Sequence, residues 1–246
     1  MNINKRLIIG IKGRKGSGKD TVASMIHYII AAGTTQANFD GWERFNKSPY
    51  DSDLDVPTRH FADKIKDDLS FIFGINRECF DNNDYKDNKY YCFELKAFLT
   101  EKMLKEVPRA EITLKDLQEN TLAKWRESYG DNCVIKLRTL MQYYGTELIR
   151  HNIGSQVWID GLIQIAIKDK NYYGYAVIAD VRYLNESDAI YNVGGKVIHV
   201  FKTDNSKIEH SNEDIKCDTR DYEIDNNGTL LGLFYKVLEF VKDEMM

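Results

Sequence analysis

The chain has 246 residues, a length that fits one large domain or a domain carrying an insertion. Its residues are 43% hydrophobic and 29% charged, and its formal net charge is −4, the profile of an ordinary soluble globular protein. That balance excludes a broadly basic nucleic-acid surface, so any polyanion site has to be a local pocket, and no nucleic-acid partner is expected.

No stretch approaches the length of a membrane span, and no membrane partner is expected. The apolar run near the N-terminus breaks at Lys12, too soon for an export signal. The cysteines (Cys79, Cys92, Cys133, Cys217) form no CxxC pair and are expected to be reduced thiols in a cytoplasm. The histidines show no HxxxH or HExxH spacing, which argues against zinc.

In chain order, Leu7 to Ile11 is an apolar run suited to a buried parallel strand. Lys19 to Ala32 carries Val22, Met25, Ile26, Ile29 and Ile30 at helical spacing, with Gly33 as a stop. Residues 34–57 are polar and read as an excursion or hairpin. Residues 58–62 suit a strand, and a helix follows from Asp63 to Phe73, closed by Gly74. Residues 75–90 read as a loop. Helices are expected at about 91–106, before Pro108, and 114–129, before Gly130. The stretch of about 75–130 therefore reads as a helical insertion or lid within a single domain spanning 1–246.

A helix is predicted over 134–150, with Leu137, Leu140, Met141, Tyr144 and Leu148 on one face and Arg138, Gln142, Gly145 and Thr146 on another. Another follows at 155–169. Tyr175 to Ala179 and Lys196 to Phe201 have buried-strand patterns, and 228–243 closes the chain as a helix. Strands alternating with helices predict an α/β sandwich with a mainly parallel sheet.

The most informative segment is Gly13-Arg14-Lys15-Gly16-Ser17-Gly18-Lys19-Asp20-Thr21, which fits GxxxxGK between a strand and a helix. Its glycines permit a backbone that turns N–H groups inward. Those donors and the positive end of the helix hold phosphate oxygens, while Lys19 reaches the β- and γ-phosphates. The residue after the lysine is Asp20, and the hydroxyl comes one place later as Thr21. GxxGxGKxT is the spacing of adenylate-kinase-like nucleoside monophosphate kinases. It leaves open whether Asp20 meets magnesium directly, through water, or not at all.

Asp180-Val181-Arg182 directly follows an apolar strand, at the strand end where α/β sheets bind ligands. Asp180 suits a magnesium-side or acceptor-side role and Arg182 a bidentate phosphate contact, with Glu186 near the start of the next helix. A strand-end Asp beside an Arg is also a common structural pair. Gly145 costs roughly 1 kcal/mol inside a helix, so either something approaches the backbone there or the helix breaks. Trp158 suits either a stack on a base or a place in the core.

Together, GRKGSGKDT, LRTLMQYYGTELIR (137–150), Trp158 and IADVRYLNE (178–186) resemble the bacteriophage-type deoxynucleoside monophosphate kinases. HFADKIKDDL (60–69), GGKVIHV (194–200) and DNNGTLLGLF (225–234) add to the resemblance, which spans nearly the whole chain. It implies a P-loop NTPase three-layer sandwich that transfers the γ-phosphate of ATP, with Mg2+, to a deoxynucleoside monophosphate (dNMP). It places Gly13, Lys15, Gly16, Ser17, Gly18, Lys19, Asp20 and Thr21 at ATP, with Asp20 and Thr21 toward magnesium through water. Lys64, Arg138, Gln142, Gly145, Thr146, Trp158, Asp180, Arg182 and Glu186 fall at the dNMP. Lys19, Arg138 and Arg182 become the catalytic cations. Thr139 departs from the family pattern, in which that place often holds a basic residue. The resemblance also carries an expectation of a homodimer.

Two competing readings are a phosphomevalonate-kinase-like enzyme and a nucleotide-binding switch without transfer activity. The first does not explain the LMQxxGT helix. The second lacks an NKxD-type guanine signature.

Overall fold

The computed structural model describes residues 5–47, 56–106, 110–129, 133–154, 156–202 and 218–245. Pro108, Gly130, His210, Cys217 and the 48–55 part of the polar excursion lie outside the described residues. In chain order the elements are β1 (Leu7–Lys12), α1 (Lys19–Ala32), α2 (Phe39–Lys47), β2 (Thr58–Arg59) and α3 (Asp63–Phe73). Next come α4 (Arg77–Asp81), α5 (Asn83–Asn88), β3 (Tyr90–Cys92), β4 (Ala97–Phe98), α6 (Glu101–Glu106), β5 (Ala110–Ile112), α7 (Leu114–Glu119) and α8 (Leu122–Tyr129). β6 (Cys133–Lys136) leads into α9 (Leu137–Gln142), which continues as a π-helical stretch, Tyr143–Arg150. α10 (Val157–Tyr173), β7 (Tyr175–Val181), α11 (Leu184–Asn192), β8 (Lys196–Phe201), β9 (Tyr222–Asp225) and α12 (Leu230–Met245) complete the chain.

These elements form two compact units, one of residues 1–61 with 159–246 and the other of residues 62–158. The first has the expected α/β architecture. Its five strands are all parallel, in the order β2-β7-β1-β8-β9. The central strands β1 and β7 are buried on both faces, and side chains divide by the period of two. Leu7, Ile9 and Ile11 of β1 join Tyr175, Val177 and Ala179 of β7 against α1, α2 and α12. Ile8 joins Ala176 and Ile178 against α10 and α11. Helix, sheet and helix layers result.

A buried staple ties this unit's edge strand to its centre. His27 of α1 lies 2.9 Å through Nδ1 from the Tyr175 hydroxyl and 2.9 Å through Nε2 from the Thr58 hydroxyl. Burial holds its imidazole down at about 4.

The second unit differs from expectation. Where a loop at 75–90 and a helix at 91–106 were predicted, α4 and α5 occupy the first stretch, and β3 and β4 precede a shorter α6. β3, β4, β5 and β6 make a mixed sheet in the order β4-β3-β6-β5. The Tyr90–Phe93 aromatic run and the Cys133–Ile135 run pair as antiparallel strands over a core containing Leu69, Phe80, Leu137 and Leu140. That core rewards pairing, which local periodicity over so few residues does not register. The 114–129 helix is interrupted at Asn120, and the 134–150 helix begins at Leu137 because 133–136 is strand.

The polar excursion holds another correction. α2 forms because Phe39, Trp42 and Phe45 recur every third residue and pack on the first core. β9 was not predicted: YEID is short and half polar, and its pairing to β8 makes it a strand.

Candidate active site

β1 ends at Lys12, and the chain turns through Gly13 to Gly18 into α1. A side chain at Gly13 would meet the Val200 carbonyl at 2.3 Å and the Ser17 hydroxyl at 2.4 Å, so only glycine lets the end of β8 close on the loop. Gly18 caps α1 in the left-handed region, at φ 99°, and supplies no side-chain cap. The first-turn N–H groups of α1 have no carbonyl within the helix to pair with. Ser17 is 3% exposed, and its buried Oγ has no hydrogen-bond partner. Lys19 folds back over the loop, its Nζ donating to the carbonyls of Gly13 (2.6 Å) and Arg14 (3.0 Å). Arg14, Lys15, Gly16 and Asp20 are exposed, and Thr21 is half-buried.

β7 pairs directly with β1, which sets Asp180 beside the mouth of the loop. The register passes from Gly10 opposite Ile178 to Lys12 opposite Val181, so β7 carries one extra residue there. Asp180 Oδ1 accepts from the Phe61 N–H at 2.9 Å, and His60 Nδ1 lies 3.9 Å from the same oxygen. Arg182 is exposed. Glu186 is 1% exposed, and its Oε2 accepts from the N–H groups of Arg182 (2.8 Å) and Tyr183 (3.1 Å). That carboxylate caps α11 and fixes the turn from which Arg182 projects.

Below the loop, Lys12 and Asp221 form a buried ion pair at 2.5 Å, and Asp221 also accepts from the Tyr191 hydroxyl at 2.6 Å. Burial, then the Asp221 hydrogen bond, push the Tyr191 phenol well above its ordinary value. This pair was not singled out in the sequence, where Lys12 reads only as the end of an apolar run.

In the second unit, Arg138 forms a two-point pair with Asp87 of α5: Nε to Oδ1, and Nη2 to Oδ2 at 3.0 Å. Gln142 and Thr146 are exposed, while Gly145 is buried. The α-helical face predicted for these residues does not persist, because the hydrogen bonds after Gln142 lengthen; the His151 N–H reaches the Thr146 carbonyl, five residues back. A side chain at Gly145 would meet Ile65 Cδ1 at 2.6 Å. The Gly145 carbonyl accepts from Trp158 Nε1 at 3.0 Å, and Trp158 is 5% exposed. Both alternatives for Gly145 therefore hold: something approaches the backbone, and the α-helix gives way. Lys64 pairs with Asp68 at 2.6 Å, and that hydrogen bond raises its amino group above the usual lysine range. Asp68 also accepts from Tyr144, whose ring tilts toward Trp158.

The loop residues, Asp180, Arg182 and Glu186 thus gather in the first unit, and Lys64, Arg138, Gln142, Gly145, Thr146 and Trp158 in the second. The family model for deoxynucleotide monophosphate kinase matches residues 7–237. The chain belongs to the deoxynucleotide monophosphate kinase family. A search of the curated proteins found no match.

Family membership makes this protein a kinase and implies ATP as its phosphate donor. The loop of this kinase fits a polyphosphate on its own terms: an uncapped helix start, a buried hydroxyl with no partner, and a lysine resting on loop carbonyls. Among the described residues no cluster of three or more His, Cys, Asp or Glu is disposed to hold a metal by itself. Among the same residues no helix is long and apolar enough to cross a membrane. A residue that sequence reasoning passed over is Asn226, whose side-chain Nδ2 donates to the Ser17 carbonyl at 2.8 Å. It lies in the DNNGTLLGLF segment, where the Asn-Asn-Gly signal reads as a turn and nothing local connects it to the loop.

Proposed function

We propose that this kinase transfers the γ-phosphate of ATP to a deoxynucleoside 5′-monophosphate, giving ADP and the deoxynucleoside diphosphate. An oxygen of the acceptor phosphate forms a bond to the γ-phosphorus, and the bond from that phosphorus to the β–γ bridging oxygen breaks. The electron pair leaves with ADP. The acceptor phosphate is already a competent nucleophile, so the protein's work is alignment and charge stabilisation.

The observation that carries this reading is the phosphate loop, with its uncapped helix start, orphaned Ser17 hydroxyl and Lys19 within the loop. Lys19 exchanges the Gly13 and Arg14 carbonyls for β- and γ-phosphate oxygens. Arg138 exchanges the Asp87 carboxylate for a phosphate of the same two-pronged geometry. Arg182, held at its backbone by Glu186, is the second arginine for the migrating group. Gln142 and Thr146 face solvent and supply hydrogen bonds to the acceptor, while Gly145 and Trp158 shape the wall behind them. Asp20 and Thr21 would hold magnesium through water, and the ion would supply neutralisation of phosphate charge.

A coupled ADP-release assay across dAMP, dGMP, dCMP, dTMP and their ribose counterparts tests the proposal. Acceleration of ADP release by at least one deoxynucleotide is expected. Release that none of the monophosphates accelerates removes the reading.

A further inference from the structure

Asn226 sits at the end of β9, far from the phosphate loop in sequence and in contact with it in space. Its own N–H donates to the Phe201 carbonyl at 2.8 Å, which ties it to the end of β8. The preceding residue is anchored separately, since the Asp225 carbonyl accepts from Lys236 of α12 at 2.7 Å. Asn226 therefore stands on two strand ends and a helix. Only its side chain, donating to the Ser17 carbonyl at 2.8 Å, reports to the loop.

The contact needs a glycine. A side chain at Gly18 would lie 2.6 Å from Asn226 Nδ2, closer than any real contact allows. Gly18 thus has two duties, its left-handed conformation at φ 99° and room for the asparagine.

Peptide geometry turns this hydrogen bond into a function. The Ser17–Gly18 peptide is trans, so its C=O and N–H point in opposite directions. Holding the Ser17 carbonyl on Asn226 holds the Gly18 N–H facing away from Asn226. The Ser17 N–H is already spent on the Arg14 carbonyl at 3.1 Å. The Gly18 N–H is the next donor along the chain, and a flip of this one peptide would present a carbonyl to an anion instead of an N–H. We propose that Asn226 is a positioning residue of the phosphate loop, holding the Ser17–Gly18 peptide in the orientation that accepts a polyphosphate. This rests on the reading of the loop as the nucleotide triphosphate site.

The test uses the full chain, with pyrophosphate and ADP as probes in calorimetry and ATP and dNMP as substrates in kinetics. Asn226→Ala is expected to weaken pyrophosphate and ADP binding and to raise KM for ATP by about tenfold, the scale of one lost hydrogen bond that organises a charged ligand. Asn226→Asp, of the same shape but facing the Ser17 carbonyl with an oxygen, is expected to lose more. KM for dNMP and the melting temperature stay near wild type, which a merely structural role does not predict. Pyrophosphate affinity and KM for ATP within twofold of wild type in both variants overturn the proposal. Wild-type protein that binds neither probe overturns the loop reading instead. If the variants prove too unstable to assay, wild-type protein labelled for magnetic resonance decides the matter. The Gly18 amide signal must move on adding pyrophosphate, and a signal blind to it overturns the proposal.

Discussion

On the proposed reading, the phosphate loop and the Arg138 helix bind anions by different physics. In the loop the donors are backbone N–H groups, and the shape is enforced by close approaches that only glycine allows, at Gly13 and Gly18. On the helix the binding groups are side chains, and the neighbouring carboxylate Asp87 already satisfies the main one, Arg138. On that reading the loop is built to receive charge, whereas the helix would trade one anion for another. A backbone site is therefore sensitive to glycine geometry and to tethers such as Asn226, and a side-chain site to the strength of the carboxylate being displaced.

The sharpest test of this contrast is at the loop. Lys19→Ala is expected to lower kcat by about a thousandfold or more, since it removes the loop cation proposed for the migrating charge. Steady-state turnover with saturating ATP checks this, and a loss below tenfold would make the backbone donors sufficient alone.

Next in size is the pH dependence of the core that supports the loop. His27 is neutral and buried in the folded state, with its imidazole held at about 4, against an ordinary value near 6.5. The unfolded chain takes up that proton first as pH falls. The stabilising contribution is whole above pH 6.5, declines below it, and is gone near pH 4, a loss of about 3 kcal/mol. Urea unfolding of wild type and His27→Gln from pH 7 to pH 4 reads it out. The variant is expected to show a shallower decline, and parallel curves would assign the loss to other groups.

A smaller effect is expected at Gly145. Gly145→Ala puts a methyl against Ile65 and should cost about 1–3 kcal/mol by overpacking. Ile65→Val removes the Cδ1 atom in the way, so the double variant should cost less than the sum of the two. Strict additivity in denaturant melts would show that the close approach is not what makes this position glycine.

The smallest effect is expected at Asp87. Asp87→Asn removes the charge that competes with phosphate for Arg138, and KM for dNMP should fall about threefold at low salt, the scale of an exposed ion pair. The gain should shrink as salt rises. A raised KM would mean that Asp87 orients the arginine instead of competing for it.

Much of the first unit was legible before folding. Lys19–Ala32, its Gly33 stop and Lys196–Phe201 agree with the predicted bounds, because a two-sided buried strand and an amphipathic helix write their environment into local periodicity. The second unit was less legible. Its strands are two to four residues long, too short for a period to register, and they exist because they pair. The π-stretch after Gln142 likewise redistributed a face laid out at α-helical pitch: Arg138, Gln142 and Thr146 stayed exposed while Gly145 turned inward onto Ile65.

The chain's own sequence determined the phosphate loop, the alternation of strand and helix, and the candidate side chains, because each depends on residues a few places apart. Tertiary structure decided the rest. It chose β7 as the neighbour of β1, which sets Asp180 beside the loop, and it set Asn226 against Ser17 across 209 residues of chain. Such pairings are selected by the packing of whole layers, and the residues on either side of such a contact do not by themselves name its partner.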